Sequence, residues 1–212
     1  MKQLAIFVSG RGSNFRAIHG ATKSGEIAGR VALVVTDKPQ CPAADYTREN
    51  GIEVVHYPAP DLEPPALLHA LRQAGIDYII LAGYLKLVPS EVVQAYPRAM
   101  LNIHPALLPA FGGQGYYGHR VHEAVIASGA KVSGVSVHFV DEEYDHGPIV
   151  AQVVVPVQSD DTPDALAKRV LEQEHRLYSR VVAALCRGQV RWREDGVPYV
   201  EPPIMLQDIT KL

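Results

Sequence analysis

Short apolar runs separated by helical patterns fill the first 82 residues, and this alternation limits the folds open to the chain. The first run, Leu4-Ala5-Ile6-Phe7-Val8, is unbroken, as expected of a strand that is buried on both faces of a parallel sheet. Strands are predicted at residues 4–9, 30–36, 52–56 and 77–82. Helices are predicted between them at residues 15–25, 42–50 and 66–74. The alternation predicts an α/β fold with a doubly wound, mostly parallel twisted sheet.

The C-terminal part of the chain predicts a long helix and a β-hairpin. Thr162 is a good N-cap residue, and the proline that follows it suits the first helical position. Apolar spacing continues the helix to about Cys186. Residues 189–200 then predict a hairpin that turns at Asp195-Gly196.

Composition narrows the class of protein. A net charge of -3 and a pI near 6.3 provide no basic surface for nucleic acid or an anionic membrane. The apolar runs are too short to cross a bilayer, the N-terminus shows no leader, and two distant cysteines indicate a reducing compartment. We expect one cytoplasmic domain over residues 1–200 with a peripheral tail at 201–212, acting on small molecules as a monomer or homodimer.

An amide and an imidazole close a predicted strand near the middle of the chain. Asn102 and His104 lie two positions apart in an apolar run that Pro105 ends. Alternating strand side chains put both on one face, at the carboxyl end of the strand, where open α/β sheets bind ligands. Such a pair could equally satisfy loop backbone, so its significance depends on the motifs that accompany it.

A glycine turn links the first strand to the first helix. In Gly10-Arg11-Gly12-Ser13-Asn14, backbone N–H groups and the positive end of the helix converge, which suits an anion. Phe15 occupies the third glycine position of a dinucleotide fingerprint, and no Gly-Lys-Ser/Thr follows for a Walker loop. A monophosphate is the remaining ligand, although a glycine turn can also be purely steric.

Several motifs in the same order resemble those of the formyltransferases that use 10-formyltetrahydrofolate, in particular the group that formylates glycinamide ribonucleotide in purine biosynthesis. The resemblance covers nearly the whole chain. Besides the glycine turn, the matching pieces are Leu81-Ala82-Gly83-Tyr84-Leu85, Leu101-Asn102-Ile103-His104-Pro105 with Leu107-Leu108-Pro109, Ser136-Val137-His138-Phe139-Val140 with Asp145, and Gln173-Glu174-His175.

The resemblance implies direct formyl transfer from the folate to the amine of the ribonucleotide, without metal. Asn102 and protonated His104 would stabilise the oxyanion, while Asp145 would keep His104 protonated and relay protons. His138 would support these catalytic side chains without contacting the substrate itself. No motif for a nucleophilic Ser or Cys is present, which agrees with a mechanism that has no acyl-enzyme.

The resemblance also implies the binding residues, with the ribonucleotide mainly in the N-terminal half and the folate mainly in the C-terminal half. The phosphate would bind at Gly12, Ser13 and Asn14, and the ribose at Glu174, for which a salt bridge to Arg169 or Arg176 is the alternative. The folate would bind at Leu85, Lys86, Leu87, Val88, Asn102, Val140 and Asp141.

The chain departs from the family pattern in two places. The arginine that usually contacts the glutamate tail of the folate is missing from residues 57–65, and Arg72 lies too far along the next helix to be a clear substitute. His146 follows Asp145 where relatives often have Gly or Ala, so the titration of Asp145 could be coupled to this imidazole.

The glycine-rich residues 112–118 indicate either a lid or a plain mobile connection. His119 and His122 follow it with a spacing that could bind a metal, but no third ligand supports them. We interpret both as surface residues at the start of a helix.

Three rival functions remain open. A formyltetrahydrofolate hydrolase of the same fold usually has an N-terminal regulatory domain, whereas the catalytic fold is expected to begin here at Leu4. A formyltransferase for initiator tRNA needs a C-terminal domain and a basic surface, and neither is expected in this chain. A non-catalytic nucleotide or folate sensor would have little reason to keep Asn102, His104 and Asp145.

Overall fold

The computed structural model describes residues 1–59 and 62–204, with alternating strands and helices. The strands are β1 Lys2–Val8, β2 Gly29–Thr36, β3 Glu53–His56, β4 Tyr78–Leu81, β5 Met100–His104, β6 Val132–Phe139, β7 Ile149–Pro156, β8 Val190–Trp192 and β9 Pro198–Val200. The helices are α1 Ser13–Lys23, α2 Pro42–Glu49, α3 Pro64–Gln73, α4 Ser90–Ala95, α5 His119–Ala127 and α6 Pro163–Cys186. The hydrogen-bonded strand order is β3-β2-β1-β4-β5-β6-β7, with β8 and β9 in a separate two-stranded sheet.

The chain divides into two compact units, and the first, Met1–Asn102, contains the parallel strands. In it β1 pairs with β2 and β4, β2 pairs with β3, and β4 pairs with β5, all in parallel. Four consecutive residues of β1 are fully buried: Leu4, Ala5, Ile6 and Phe7. The prediction from unbroken apolar runs is confirmed, because only a strand that is covered on both faces buries successive side chains.

The second unit, Ile103–Leu212, is built around an antiparallel strand pair and the longest helix. β6 pairs with β7 in antiparallel register, and α6 packs on both strands. The Thr162 hydroxyl accepts a hydrogen bond from the Ala165 N–H, and proline takes the first helical position, as predicted. The predicted hairpin is also confirmed, since β8 and β9 pair on either side of the Asp195-Gly196 turn.

Two predicted segments are covered only in part. Of the expected peripheral tail, residues 205–212 lie outside the described residues. At the start of this tail, the Glu201 N–H donates a hydrogen bond to the Gln189 carbonyl. Pro60 and Asp61, in the proline-rich connection, also lie outside them. Within the part of the chain that is described, no helix is both long and apolar enough to cross a membrane.

Gly134 in β6 offers a test of how tightly the second unit is packed. A Cβ at this position would collide with the Val153 carbonyl oxygen and would lie 2.8 Å from Leu107 Cγ. We expect Gly134→Ala to lower the free energy of unfolding by about 1–3 kcal/mol. The reason is that the backbone carbonyl of Val153 cannot move aside for the new methyl group as a flexible side chain could. Urea unfolding of purified protein measures the change.

Gly20→Ala is the matched control, because Gly20 is exposed in α1 and a Cβ there would point into open space. This substitution should raise stability by about 0.5–1 kcal/mol through the helix preference of alanine. Equal effects of the two substitutions would contradict the packing described for Gly134.

Candidate active site

His104 ends β5 as a buried side chain, 3% exposed, with an oxygen acceptor at each ring nitrogen. Its Nε2 lies 2.7 Å from the Phe111 carbonyl oxygen, and its Nδ1 lies 3.3 Å from Asp145 Oδ2. A carbonyl and an ionised carboxylate can only accept hydrogen bonds. The two contacts are therefore both satisfied only when the ring carries a proton on each nitrogen.

Nitrogen atoms from three segments converge on Asp145. Its Oδ2 accepts a 3.0 Å hydrogen bond from the Gly113 N–H in addition to the contact with His104. Its Oδ1 lies 3.6 Å from His138 Nε2. Burial alone would raise the pKa of Asp145, but the hydrogen bonds from His104 and His138, the charge of His104 and the Gly113 N–H together hold that pKa well below its ordinary value.

The backbone around Asp145 is fixed in an uncommon conformation. Asp145 has φ +54°, in the left-handed region that Asp tolerates better than most residues. Gly147 has no room for a Cβ, because this atom would collide with the Phe139 carbonyl oxygen at the end of β6. These constraints fix the direction in which the loop presents the carboxylate.

The glycine-rich loop contributes backbone groups to the site. The Phe111 carbonyl contacts His104, and the Gly113 N–H contacts Asp145. Gly112, between them, has no room for a Cβ beside the Leu108 side chain. The start of the loop is thus anchored on the site, although residues 113–118 are largely exposed.

Nothing in the sequence singles out Phe111 or Gly113, because every residue carries the same backbone groups. The only available signal was the density of glycines, which indicated a close approach of backbone.

Asn102 lies two positions before His104 on β5 and pairs in register with Leu81 of β4. Strand alternation directs its side chain to the same face as that of His104. The residue is partly exposed. Its catalytic role stays a prediction.

The glycine turn of the first unit forms a fixed cradle. Gly12 caps α1 with φ +72°, and a Cβ there would lie only 2.7 Å from Ala43 Cβ. The Ala43 N–H donates to the Gly10 carbonyl, which holds the turn against α2. Ser13 and Asn14 occupy the first turn of α1, where backbone N–H groups have no partners within the helix. The turn can hold an anion without rearrangement.

The predicted folate-binding residues 85–88 leave apolar side chains at the surface. Leu85 is 42% exposed and Leu87 is 47% exposed, whereas Val88 is buried and Lys86 is exposed. The Leu85 N–H donates to Ser9 Oγ, which ties this segment to the end of β1. Exposed leucines on a fixed backbone suit the face of a flat ring.

The remaining predicted binding residues belong to the second unit. Glu174 on α6 is only 8% exposed. Arg169, one of its alternative partners, instead binds Asp161 through two hydrogen bonds of 2.8 and 2.6 Å. Val140 and Asp141 follow β6 and are partly exposed.

His146 contacts Asp141 rather than extending the Asp145 cluster. The His146 Nδ1 lies 2.6 Å from Asp141 Oδ2, and Asp141 Oδ1 accepts a hydrogen bond from the Glu143 N–H. The hydrogen bond with Asp141 raises the pKa of His146 above its ordinary value. The imidazoles that shift the pKa of Asp145 are those of His104 and His138.

The interpretation of His122 as a surface residue is wrong. His119 is exposed near Glu123 and Asp164, but His122 is only 5% exposed, and its Nδ1 has no hydrogen-bond partner among the described residues. Burial, followed by the charges of His119 and His104, lowers the pKa of His122 to about 4. Across residues 1–59 and 62–204, no group of three His, Cys, Asp or Glu side chains could hold a metal ion.

The buried imidazole of His122 makes stability depend on pH. Between its folded pKa of about 4 and its unfolded value of 6.5, the unfolded chain binds more protons than the folded chain at this residue. Its contribution to stability therefore falls as the pH drops from about 6.5 to about 4. We expect wild type to lose stability relative to His122→Gln across this range, as measured by urea unfolding at several pH values. Parallel pH dependences would contradict the assignment.

Comparison with known proteins places these features in a family. A family described as Formyl transferase matches residues 2–182. The chain is 54% identical over 206 residues to phosphoribosylglycinamide formyltransferase, chloroplastic, of Arabidopsis thaliana, covering 94% of this chain and 70% of that protein. It is 36% identical to phosphoribosylglycinamide formyltransferase of Bacillus subtilis, covering 87% of this chain and 95% of that protein.

A solved structure agrees with these sequence matches. The crystal structure of glycinamide ribonucleotide transformylase 1 from Symbiobacterium toebii matches with a TM-score of 0.84 and 35% identity, covering 94% of this chain and 93% of that chain. The predicted α/β fold and the predicted resemblance are confirmed. The chain therefore belongs to the formyl transferase family of enzymes.

Proposed function

We propose that this enzyme transfers the formyl group of 10-formyltetrahydrofolate to the primary amine of glycinamide ribonucleotide. The products are N-formylglycinamide ribonucleotide and tetrahydrofolate, in de novo purine biosynthesis. The names of the relatives support the acceptor. The observation that carries the proposal is the fixed imidazole of His104 between the Phe111 carbonyl and Asp145, which suits stabilisation of a developing oxyanion.

The reaction begins when the amine nitrogen attacks the formyl carbon, and the carbonyl oxygen becomes an oxyanion. The Nε2 proton of His104 is held by the Phe111 carbonyl, so the Nδ1 proton is the one that can be shared with the oxyanion. The 3.3 Å contact of Nδ1 with Asp145 is longer than a strong charge-assisted hydrogen bond and leaves room for this sharing. The Asn102 amide supplies the second donor.

Proton transfer completes the reaction. The attacking nitrogen loses a proton to Asp145, directly or through a water molecule, and the same proton passes to the departing folate nitrogen as the carbon–nitrogen bond breaks. The lowered pKa keeps Asp145 ionised, so that its carboxylate can accept the proton. His138 supports the carboxylate of Asp145 on its other side, where His138 Nε2 lies 3.6 Å from Oδ1.

Substrate binding divides between the two halves of the chain in this proposal. The phosphate binds to the backbone of Gly12, Ser13 and Asn14 in the N-terminal half, and the ribose hydroxyls bind to Glu174. The pterin ring of the folate contacts residues 85–88, and further folate contacts come from Asn102, Val140 and Asp141. A single functional domain over residues 1–200 remains our expectation.

We further propose a cytoplasmic protein that is a monomer or homodimer and needs no metal. Cys41 and Cys186 are both buried and form no disulfide among the described residues, which is consistent with a reducing compartment. The chain spans 70%, 66% and 68% of three plant relatives whose names include the word chloroplastic. Localisation of a tagged full-length protein tests the compartment.

The proposed reaction is tested by mixing the enzyme with 10-formyltetrahydrofolate, with and without glycinamide ribonucleotide, and following loss of the formyl donor. We expect consumption only when the amine is present, because a positioned amine is the nucleophile. Equal consumption without the amine would show a hydrolase. Saturable binding of either compound without consumption would show a sensor.

Variants at the two central residues test the roles assigned to them. His104→Ala should lower kcat by about 100- to 1000-fold, because a charged oxyanion donor is lost, while the Kd for the ribonucleotide stays nearly unchanged. Asp145→Asn should lower kcat by at least about 100-fold through loss of proton transfer. His69→Ala, at an exposed histidine on α3, is the control. A fully active His104→Ala variant would remove this residue from the chemistry.

A further inference from the structure

A buried hydroxyl in β6 organises the turn that follows His104. Ser136 is completely buried, and its Oγ donates to the Ala106 carbonyl at 2.7 Å. The same oxygen accepts a hydrogen bond from the Leu108 N–H at 2.9 Å. One side chain thus satisfies two backbone groups of the turn between His104 and Phe111.

Gln152 completes this network from the neighbouring strand. Ser136 and Gln152 are cross-strand partners in the antiparallel pair of β6 and β7. The Gln152 Nε2 donates to Ser136 Oγ at 2.8 Å and to the Leu108 carbonyl at 3.1 Å. Both protons of the Gln152 amide nitrogen therefore form hydrogen bonds. One holds the turn directly at Leu108, and the other holds it through Ser136.

The turn connects the two ends of the His104 contact. It begins directly after His104 and leads to Phe111, whose carbonyl fixes the Nε2 side of the imidazole. A shift of the Leu108 carbonyl would move Phe111 and change the direction of the ring. In a preorganised site, a displacement of about 1 Å can lower the rate by about 100-fold.

We propose that Gln152 is a positioning residue for catalysis, which acts through Ser136 and the Leu108 carbonyl to hold the imidazole of His104 in its reactive orientation. The inference rests on the proposed role of His104. Gln152 itself lies on β7, and its amide donors reach the turn rather than the imidazole. An apolar residue of similar length would fill the same space, so the requirement for glutamine comes from its two donors.

Gln152→Met tests the proposal because it keeps the chain length and removes both donors. We expect kcat to fall by about 10- to 100-fold, with the KM for glycinamide ribonucleotide changed by less than about twofold. Ser136→Ala should lower kcat similarly, and the double variant should lose less than the product of the two single losses, since both act on one turn.

Ser133→Ala is the matched control on the same strand. Ser133 is buried like Ser136, but its hydroxyl has no hydrogen-bond partner among the described residues. Its removal should leave kcat within about twofold of wild type. An equal loss of kcat in Ser133→Ala would overturn the proposal, because it would show a general effect of altering β6.

Nitrogen-15 NMR of the histidine side chains provides a readout that does not need turnover. In wild type we expect a hydrogen-bonded Nε2–H signal for His104, and in Gln152→Met a shifted or exchange-broadened signal. An unchanged His104 signal together with unchanged kcat would overturn the proposal, as would a higher KM at unchanged kcat. If wild type transfers no formyl group, the proposed function fails, and the NMR comparison alone decides the positioning role.

Discussion

The arrangement of this site depends on the Asp145 carboxylate and the N–H groups that converge on it. His104 comes from the end of β5, His138 from β6 and Gly113 from the glycine-rich loop, so one anion links three segments that are distant in sequence. A buried carboxylate is costly unless donors surround it, and each donor here reduces that cost. Asp145 also has a left-handed backbone, which costs roughly 1–3 kcal/mol and persists only when surrounding contacts enforce it. Two residues further on, Gly147 approaches the Phe139 carbonyl oxygen so closely that a Cβ would collide with it.

The contacts at the two ring nitrogens fix the direction of the His104 imidazole. A neutral ring carries one N–H and could satisfy either the Phe111 carbonyl or the carboxylate, whereas the cation satisfies both. The Phe111 carbonyl lies at Nε2 and the Asp145 carboxylate at Nδ1, and in the proposed mechanism the Nδ1 proton is shared between that carboxylate and the reacting oxygen. The turn that leads from His104 to Phe111 is hydrogen-bonded to Ser136 and Gln152 at Leu108. In the proposed mechanism, the order of this turn and the reactivity of His104 therefore depend on the same contacts.

Much of this arrangement could be predicted from the sequence because it follows from local rules. Unbroken apolar runs gave the parallel strands, alternation placed Asn102 beside His104, and Thr162 gave the start of α6. Backbone donors and acceptors such as those of Phe111 and Gly113 leave no trace in residue type. The link between Ser136 and Gln152 depends on the register of β6 and β7, and the strand β7 itself was not assigned. The polarity of His122 favours a surface position, whereas its helical spacing puts it on the same face as buried Val125, and the spacing decides its burial.

The most direct measurement is a crystal structure of the enzyme with glycinamide ribonucleotide and an unreactive analogue of 10-formyltetrahydrofolate. We predict that the oxygen equivalent to the formyl carbonyl lies about 2.7–3.1 Å from His104 Nδ1 and within hydrogen-bond distance of the Asn102 amide nitrogen. The amine should then face the Asp145 carboxylate. A formyl oxygen bound by other donors, with Nδ1 of His104 turned away from it, would contradict the mechanism.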